Sequence, residues 1–415
     1  MLSSFITSRA VPGTAPTLKA TPMPPNDLLR LGIDFGTGST RAVGQHIHGI
    51  HTRESAKIKK IQLRPDQELA IRQIMILPPE GEIIYGDHDV GKALQRDSSL
   101  KERQIRRHKL GLHPEFRGIP DVEEMWRVIF AEKDPYAIVD LLEDWFRVLF
   151  NHARVAFKRK APSSGLSEWY WDAIPLEIHI SVPAMWNHRQ RATVRMAAQK
   201  AASASGSSST KPLIALREEA LCVATQFLSE DDDDENVGRS CLLVDAGDGT
   251  LDITTVKVIR ARSTEAPMQL QRVGICSGSG AGSSMINAAA LAWVRERYKQ
   301  ELDLKLGQLR ITWNECSRQL WEEIDRFKPI VDQVNRKNPL SATIYSSHGR
   351  VAPGLLNEWR IDFPDEAIAQ WYDTWTTAAD QLLQQHLATL STERPMTGIS
   401  AILTGVSLAV TFADT

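Results

Sequence analysis

A chain of 415 residues, 42% apolar and 24% charged, can build two or three ordinary cores, and its formal net charge of −2 sets up no overall field for nucleic acid or an anionic membrane. Cys222, Cys241, Cys276 and Cys316 stand far apart, with no C-x-x-C pair and no histidine at metal spacing, which argues against zinc and a disulfide framework and fits a reducing, cytoplasmic setting. No apolar run reaches the ~18 residues of a spanning helix, so no membrane partner is expected.

Residues 1–28 are expected to be a disordered tail: up to residue 26 there is no acid, one Arg, one Lys and an abundance of Ser, Thr and Pro. LLRLGIDFG and STRAVGQHI read as two strands joined by a Gly-Thr-Gly turn, and IRQIMILP (71–78) as another strand. The basic clusters ERQIRRHK (102–109) and FKRK (157–160) read as solvated faces. Between 136 and 157, Ile138, Leu141, Leu142, Trp145, Phe146 and Leu149 recur at helical spacing. A loop containing PSSG precedes the strand LEIHISVP (176–183), after which Asn187 can cap a helix through HRQRATVRMAAQKAA.

PLIAL (212–216) is a short strand leading into the helix-forming EEALCVATQFL. The acidic run SEDDDDENVG (229–238) repels itself and is expected to be an exposed loop that divides the chain into a first part, 29–228, and a second, 239–415. Past it, SCLLVDAGDGTLDITTVKV is again strand, turn, strand, and MQLQRVGICSG extends the sheet. GSGAGSSMINAAALAWVRERY passes from a Gly/Ser loop into a helix. ITWNECSRQLWEEIDRF and DEAIAQWYDTWTTAADQLLQQHL are helical, and ISAILTG closes as a strand.

The strand-Asp-x-Gly-turn-strand pattern therefore occurs twice, as IDFGTGSTRAV and VDAGDGTLDITTV. An apolar strand that ends on a carboxylate and turns through small residues lets backbone N–H groups approach a phosphate and leaves the carboxylate to hold a metal shell. If two such turns face one cleft, Asp34 and Asp245 can hold waters around one Mg²⁺. Thr37 and Thr250 would then offer hydroxyls to phosphate oxygens or an attacking water, and Asp252 a further acid near the metal.

IDFGTGST, LEIHISVPAMWNHRQRATVRMAAQKA, LLVDAGDGTLDITTVKV, GAGSSMIN and ISAILTG occur in the order seen in the 70-kilodalton heat-shock chaperone ATPase, a branch of the actin-like superfamily. The chain resembles this family over about residues 29 to 405, and within it the divergent heat-shock-70-like proteins of filamentous fungi. The resemblance implies an α/β, two-lobed actin-like ATPase fold (duplicated ribonuclease-H-like), with ATP and Mg²⁺ as cofactors. It also implies slow ATP hydrolysis coupled to lobe closure, and client or co-chaperone proteins as partners. Asp34, Gly36 and Thr37 match the first phosphate loop, in which Gly38 is a further candidate contact; Asp245, Gly247, Gly249, Thr250 and Asp252 match the second; Gly280, Gly282 and Ser283 resemble the third contact. SVPAMW with Arg191 resembles a supporting element beneath the nucleotide, and Gly405 the residue that approaches base or ribose.

The chain also departs from that pattern. Gly38 replaces a second Thr, Asp248 a turn glycine, and Asp325 the lysine of a Glu-x-x-Lys-Arg helix motif that ends here on Arg326. Asp248 is expected to repel polyphosphate. Arg326 can stack on adenine or be a solvated helix charge. In REEALCVA either Glu218 or Glu219 can be the matching acid. VSLAVTFADT after Gly405 suggests an incomplete second lobe. A carbohydrate kinase of the same superfamily, a nucleotide-binding or interaction module without turnover, and an unrelated α/β protein with two ordinary hairpins are the alternatives.

Overall fold

The computed structural model describes residues 28–36, 39–47, 59–60, 70–78, 83–112, 123, 125, 127, 137–160, 174–204, 212–230, 237–261, 268–328, 340–346, 356–393 and 399–405. The expected tail up to residue 27, Thr37, Gly38, the PSSG loop, acidic residues 231–236 and residues 406–415 lie outside them, as do the side chains of 157–160.

The protein is mixed α/β, with several sheets among the described residues. β1 (Leu28–Phe35) turns back antiparallel into β2 (Ser39–Ile47), and two short pieces, β3 (Lys59–Lys60) and β4 (Ala70–Arg72), pair with β2. β5 (Ile74–Ile76) carries β6 (Ile84–Tyr85) and β7 (Gln104–Arg106) on its two sides, with α1 (Gly86–Arg96) packed against it. The single strand expected over 71–78 is thus two, broken at Gln73. Its buried side-chain amide donates to the Gly36 carbonyl and accepts from Lys109 N at 3.2 Å, so that residue serves two other segments.

After α2 (Ala137–Lys160), β8 (Leu176–Val182) runs parallel to β1, and α3 (His188–Ala204) leads to β9 (Leu213–Glu218), parallel to β8. Asn187 caps α3 reciprocally: its Oδ1 accepts from Gln190 N at 3.0 Å, and Gln190 Oε1 accepts from Asn187 N at 2.9 Å. α4 (Glu219–Glu230) then joins the first sheet to a second.

The second sheet repeats the first arrangement. β10 (Ser240–Ala246) pairs antiparallel with β11 (Leu251–Arg260), which pairs with β12 (Gln269–Ser279). Beyond α5 (Ser284–Arg297), α6 (Leu302–Leu309), α7 (Trp313–Phe327), the hairpin β13 (Leu340–Tyr345) and β14 (Glu358–Phe363), and α8 (Asp365–Glu393), β15 (Ile399–Gly405) returns parallel to β10. In both sheets, then, an aspartate-ended strand lies between an antiparallel neighbour that follows it directly and a parallel one that arrives later. α1, α6, β13 and β14 have no counterpart in the sequence reading; they are short segments, and only β14, with Trp359, Ile361 and Phe363 buried between charged residues, alternates clearly.

β1 alternates buried and open residues, and its inward Leu29, Leu31, Ile33 and Phe35 join Ile178 and Ile180 of β8 beneath Trp145 and Phe146 of α2. The alanines Ala197, Ala198, Ala201 and Ala202 let α3 approach α2 closely. α4 turns Ala220, Ala224 and Leu228 onto Leu243 and Val256 of the second sheet. α5, α7 and α8 enclose a separate core with the β13–β14 hairpin. Among the described residues no helix is long and apolar enough to cross a membrane.

One buried group makes the first core sensitive to acid. His108 is 0% exposed, its ring 4.7 Å from Trp145 and 6.0 Å from Phe35, with no hydrogen-bond partner for either nitrogen among the described residues. Burial pushes its pKa down from 6.5 to about 3. The unfolded chain therefore binds the extra proton first, and stability complete above about pH 6.5 is lost as pH falls towards 3. At about pH 4.5 the loss should be roughly 2–3 kcal/mol, at about 1.4 kcal/mol per pH unit. Urea unfolding of the parent and of His108→Leu at that pH and at neutrality checks this; an equally steep acid loss in His108→Leu would place the cause elsewhere.

Candidate functional site

Asp34 and Asp245 are each the last residue but one of their strands, β1 and β10. In register Asp34 faces Arg41 and Asp245 faces Asp252. Each strand runs into a glycine crowded by a carbonyl oxygen, a Cβ on Gly247 standing 3.2 Å from that of Thr250. A Cβ on Gly36 would come within 2.6 Å of the Ser39 carbonyl oxygen, and Gly247 N donates to the Thr250 carbonyl at 2.9 Å.

The third loop lies directly on the second turn. A Cβ on Gly282 would stand 2.4 Å from the Asp248 carbonyl oxygen, 2.5 Å from Gly249 C and 2.6 Å from Thr250 N. Ser283 N donates to the Gly247 carbonyl at 3.0 Å and Ser284 N to that of Asp248 at 2.8 Å. Trp375 of α8 holds the loop from behind through an indole N–H to the Ala281 carbonyl at 2.8 Å.

Both turns open on one cleft of about 1260 Å³, whose lining includes Asp34, Gly36, Lys109, Glu219, Asp245 and Thr250. Lys109 is 3% exposed and pairs with Glu219 Oε1 at 2.8 Å, its ammonium 5.7 Å from the Phe35 ring centre and 5.5 Å from that of Trp186. Of the two candidate glutamates, Glu219 is the one in the cleft. Glu218 turns away, onto Arg191 at 3.1 Å and onto Arg272. Arg191 also donates to the carbonyls of Ala184 and Trp186, both at 2.9 Å, and so shapes the 183–186 loop. Met185 N of that loop donates to Asp252 Oδ1 at 3.2 Å.

The acids feel one another. Burial, then the neighbouring Asp252, pushes the Asp245 carboxyl up to about 6, with Lys109 opposing and Asp34 adding to the rise. Burial lifts Glu219 to about 7 although Lys109 counteracts it. Asp252 is also raised by burial, against hydrogen bonds from Met185 and Thr250. Asp34, Asp245 and Glu219 on the cleft wall, with Lys109 among them, a glycine at each turn and Asp252 buried beside Asp245, form a donor set suited to a polyphosphate with a divalent cation held through water. Among the described residues no group of three or more His, Cys, Asp or Glu could itself hold a metal ion.

The 102–109 run is not the solvated face expected from its charge: Arg107, His108 and Lys109 are 8%, 0% and 3% exposed. Each has a local reason to be inside. Lys109 meets Glu219, His108 fills the first core, and Arg107 lies over Trp321 at 4.5 Å while pairing with Asp325 at 2.7 Å. Asp248 is likewise not a bare charge, since Arg107 Nε stands 3.4 Å and Lys328 Nζ 3.6 Å from its carboxylate.

Arg326 lines the cleft but its side chain is 70% exposed and pairs with Glu323, three residues back on α7. Gly280 lies in the bend after β12, and Gly249 inside the second turn. Gly405 ends β15 level with Ala246, so the end of that strand is brought to the second turn. Lys109, Arg107, Lys328 and Gln73 were missed by the sequence reading. The visible signal was that ERQIRRHKLGL places Ile105, Leu110 and Leu112 among its charges in a spacing no single solvated face has. Compared with models of known protein families and with characterised proteins, the chain matches none of them.

Proposed function

We propose that the chain binds ATP with Mg²⁺ in this cleft and hydrolyses it slowly, as a heat-shock-70-like, chaperone-type ATPase on a two-lobed actin-like fold. One observation carries the reading: two aspartate hairpins of the same topology open on one cleft that also holds Lys109 and Glu219. In this reading Asp34 and Asp245 hold the water shell of the cation, and the backbone of the two turns and of the 280–283 loop cradles phosphates. Bound Mg²⁺ supplies neutralisation of the polyphosphate charge. Glu219, with a pKa of about 7, can accept a proton from a water near neutrality, and Lys109 orients it. Thr250 and the Met185 amide hold Asp252 in place.

Asp34→Asn and Asp245→Asn should each lower Mg²⁺-dependent ATP affinity by about 10–100-fold, the range for disturbing a metal's supporting ligands, with an unchanged far-ultraviolet circular dichroism spectrum. Calorimetric titration of ATP with and without Mg²⁺ measures this. Two variants that bind as the parent does would place the site elsewhere. A second reading, a nucleotide-binding module without turnover, draws on the carboxylate that Asp248 places beside the phosphate loops. Single-turnover measurement of ADP formation separates the two readings.

A further inference from the structure

Asp248 on the second turn and Asp325 on α7, both departures from the chaperone pattern, meet in one ion cluster. Asp325 accepts from Arg107 Nη2 at 2.7 Å, Lys328 Nζ at 2.8 Å and Asn287 Nδ2 at 2.9 Å. Burial alone would raise its carboxyl, yet Arg107 and Lys328 bring it below its ordinary value. Asp248 is held at longer range: Arg107 Nε at 3.4 Å from Oδ2, and Lys328 Nζ at 3.6 Å and Ser283 Oγ at 3.4 Å from Oδ1. Its Oδ2 is buried and has no hydrogen-bond partner among the described residues. The two cations, 8% exposed each, are therefore anchored by Asp325 and only lightly engaged by Asp248.

Two buried cations and a hydroxyl that reach the Asp248 carboxylate beside a glycine turn are the contacts a bound phosphate makes, but here the anion belongs to the chain. We propose that Arg107, Lys328 and Ser283 form a phosphate subsite of the cleft that Asp248 occupies as a built-in anion, so that a polyphosphate enters by exchanging with it. Asp325 keeps the two cations in position when Asp248 leaves. The identity of the ligand as a nucleotide rests on the function proposed above; the anion chemistry does not.

The test titrates inorganic tripolyphosphate, ATP and adenosine into the full chain at low ionic strength, where charge effects are least screened. The variants are Asp248→Asn, which keeps the side-chain shape, and Asp248→Gly, in case the amide disturbs the turn. Removing the internal anion should tighten tripolyphosphate and ATP by about tenfold or more, and adenosine by less than about twofold, because only the phosphates compete for the cations. Adding Arg107→Gln to Asp248→Asn should abolish most of that gain. Unchanged tripolyphosphate affinity in both folded variants, or an equal gain for adenosine, overturns the subsite. If tripolyphosphate gains but ATP binds no better than it does and ignores Asp245→Asn, the subsite stands and the nucleotide reading falls.

Discussion

In metal-free buffer at about pH 8, Lys109→Met should lower unfolding stability by roughly 3–5 kcal/mol, the usual consequence of stripping one partner from a buried ion pair. The lysine is the cation nearest Glu219 and opposes the rise of both Glu219 and Asp245. At about pH 5.5 the loss should shrink to roughly half or less, because acids whose proton affinity is raised take up protons once their counter-charge is gone. The sign follows from the folded values of about 7 and about 6, both above the ordinary carboxylate range. The penalty for burying these acids is absent when they are protonated in both states, and it is complete only as pH rises through about 7. Urea unfolding of parent and variant at the two pH values measures the difference. A loss of equal size at both would show that Lys109 acts through packing against Phe35 and Trp186 and not through charge.

Gly282→Ala should be nearly as damaging, by about 3 kcal/mol, at the upper end of what overpacking costs. The added Cβ would meet three backbone atoms of residues 248–250 between 2.4 and 2.6 Å, and backbone cannot rotate aside as a side-chain tip can. The third loop must then lift off the second turn and break the Ser283 N to Gly247 carbonyl bond. ATP affinity should fall with it by about tenfold or more. Gly307→Ala provides the contrast. A Cβ there meets nothing within 4 Å, and the residue lies inside α6, so alanine should stabilise by about 0.5–1 kcal/mol. Chemical denaturation of both variants gives the comparison, and a Gly282→Ala protein as stable as its parent would mean the two loops do not touch as described.

The strands and helices of the two hairpins were legible because their signals are local. The alternation of β1, the Asn187 cap and the apolar spacing of α2 each arise within one segment. The matched aspartates were legible for the same reason. What escaped was set by partners distant in sequence. Gln73 reads as mid-strand until it is seen to reach Gly36 and Lys109. Glu218 and Glu219 are adjacent and chemically alike, and only Arg191 and Arg272 on one side and Lys109 on the other tell them apart. Asp248 reads as a repulsive charge because Arg107, its nearest counter-charge from the first half, lies in a run that looks like surface. Charge in a sequence is visible; the counter-charge that makes it tolerable inside is not.

The acid cluster is assembled from both halves of the molecule. Asp34 of β1 helps to raise Asp245, while Met185, from the loop after β8, donates to Asp252 and works against the rise that burial causes there. If the halves part far enough for water to enter, Asp245 and Glu219 fall back towards ordinary acidity and shed protons to the solvent near neutral pH. On the proposed reading, in which the cleft closes over its ligand, closure and proton uptake would be one event, and in weakly buffered, metal-free solution the acidity of the medium would report how far the cleft stands open.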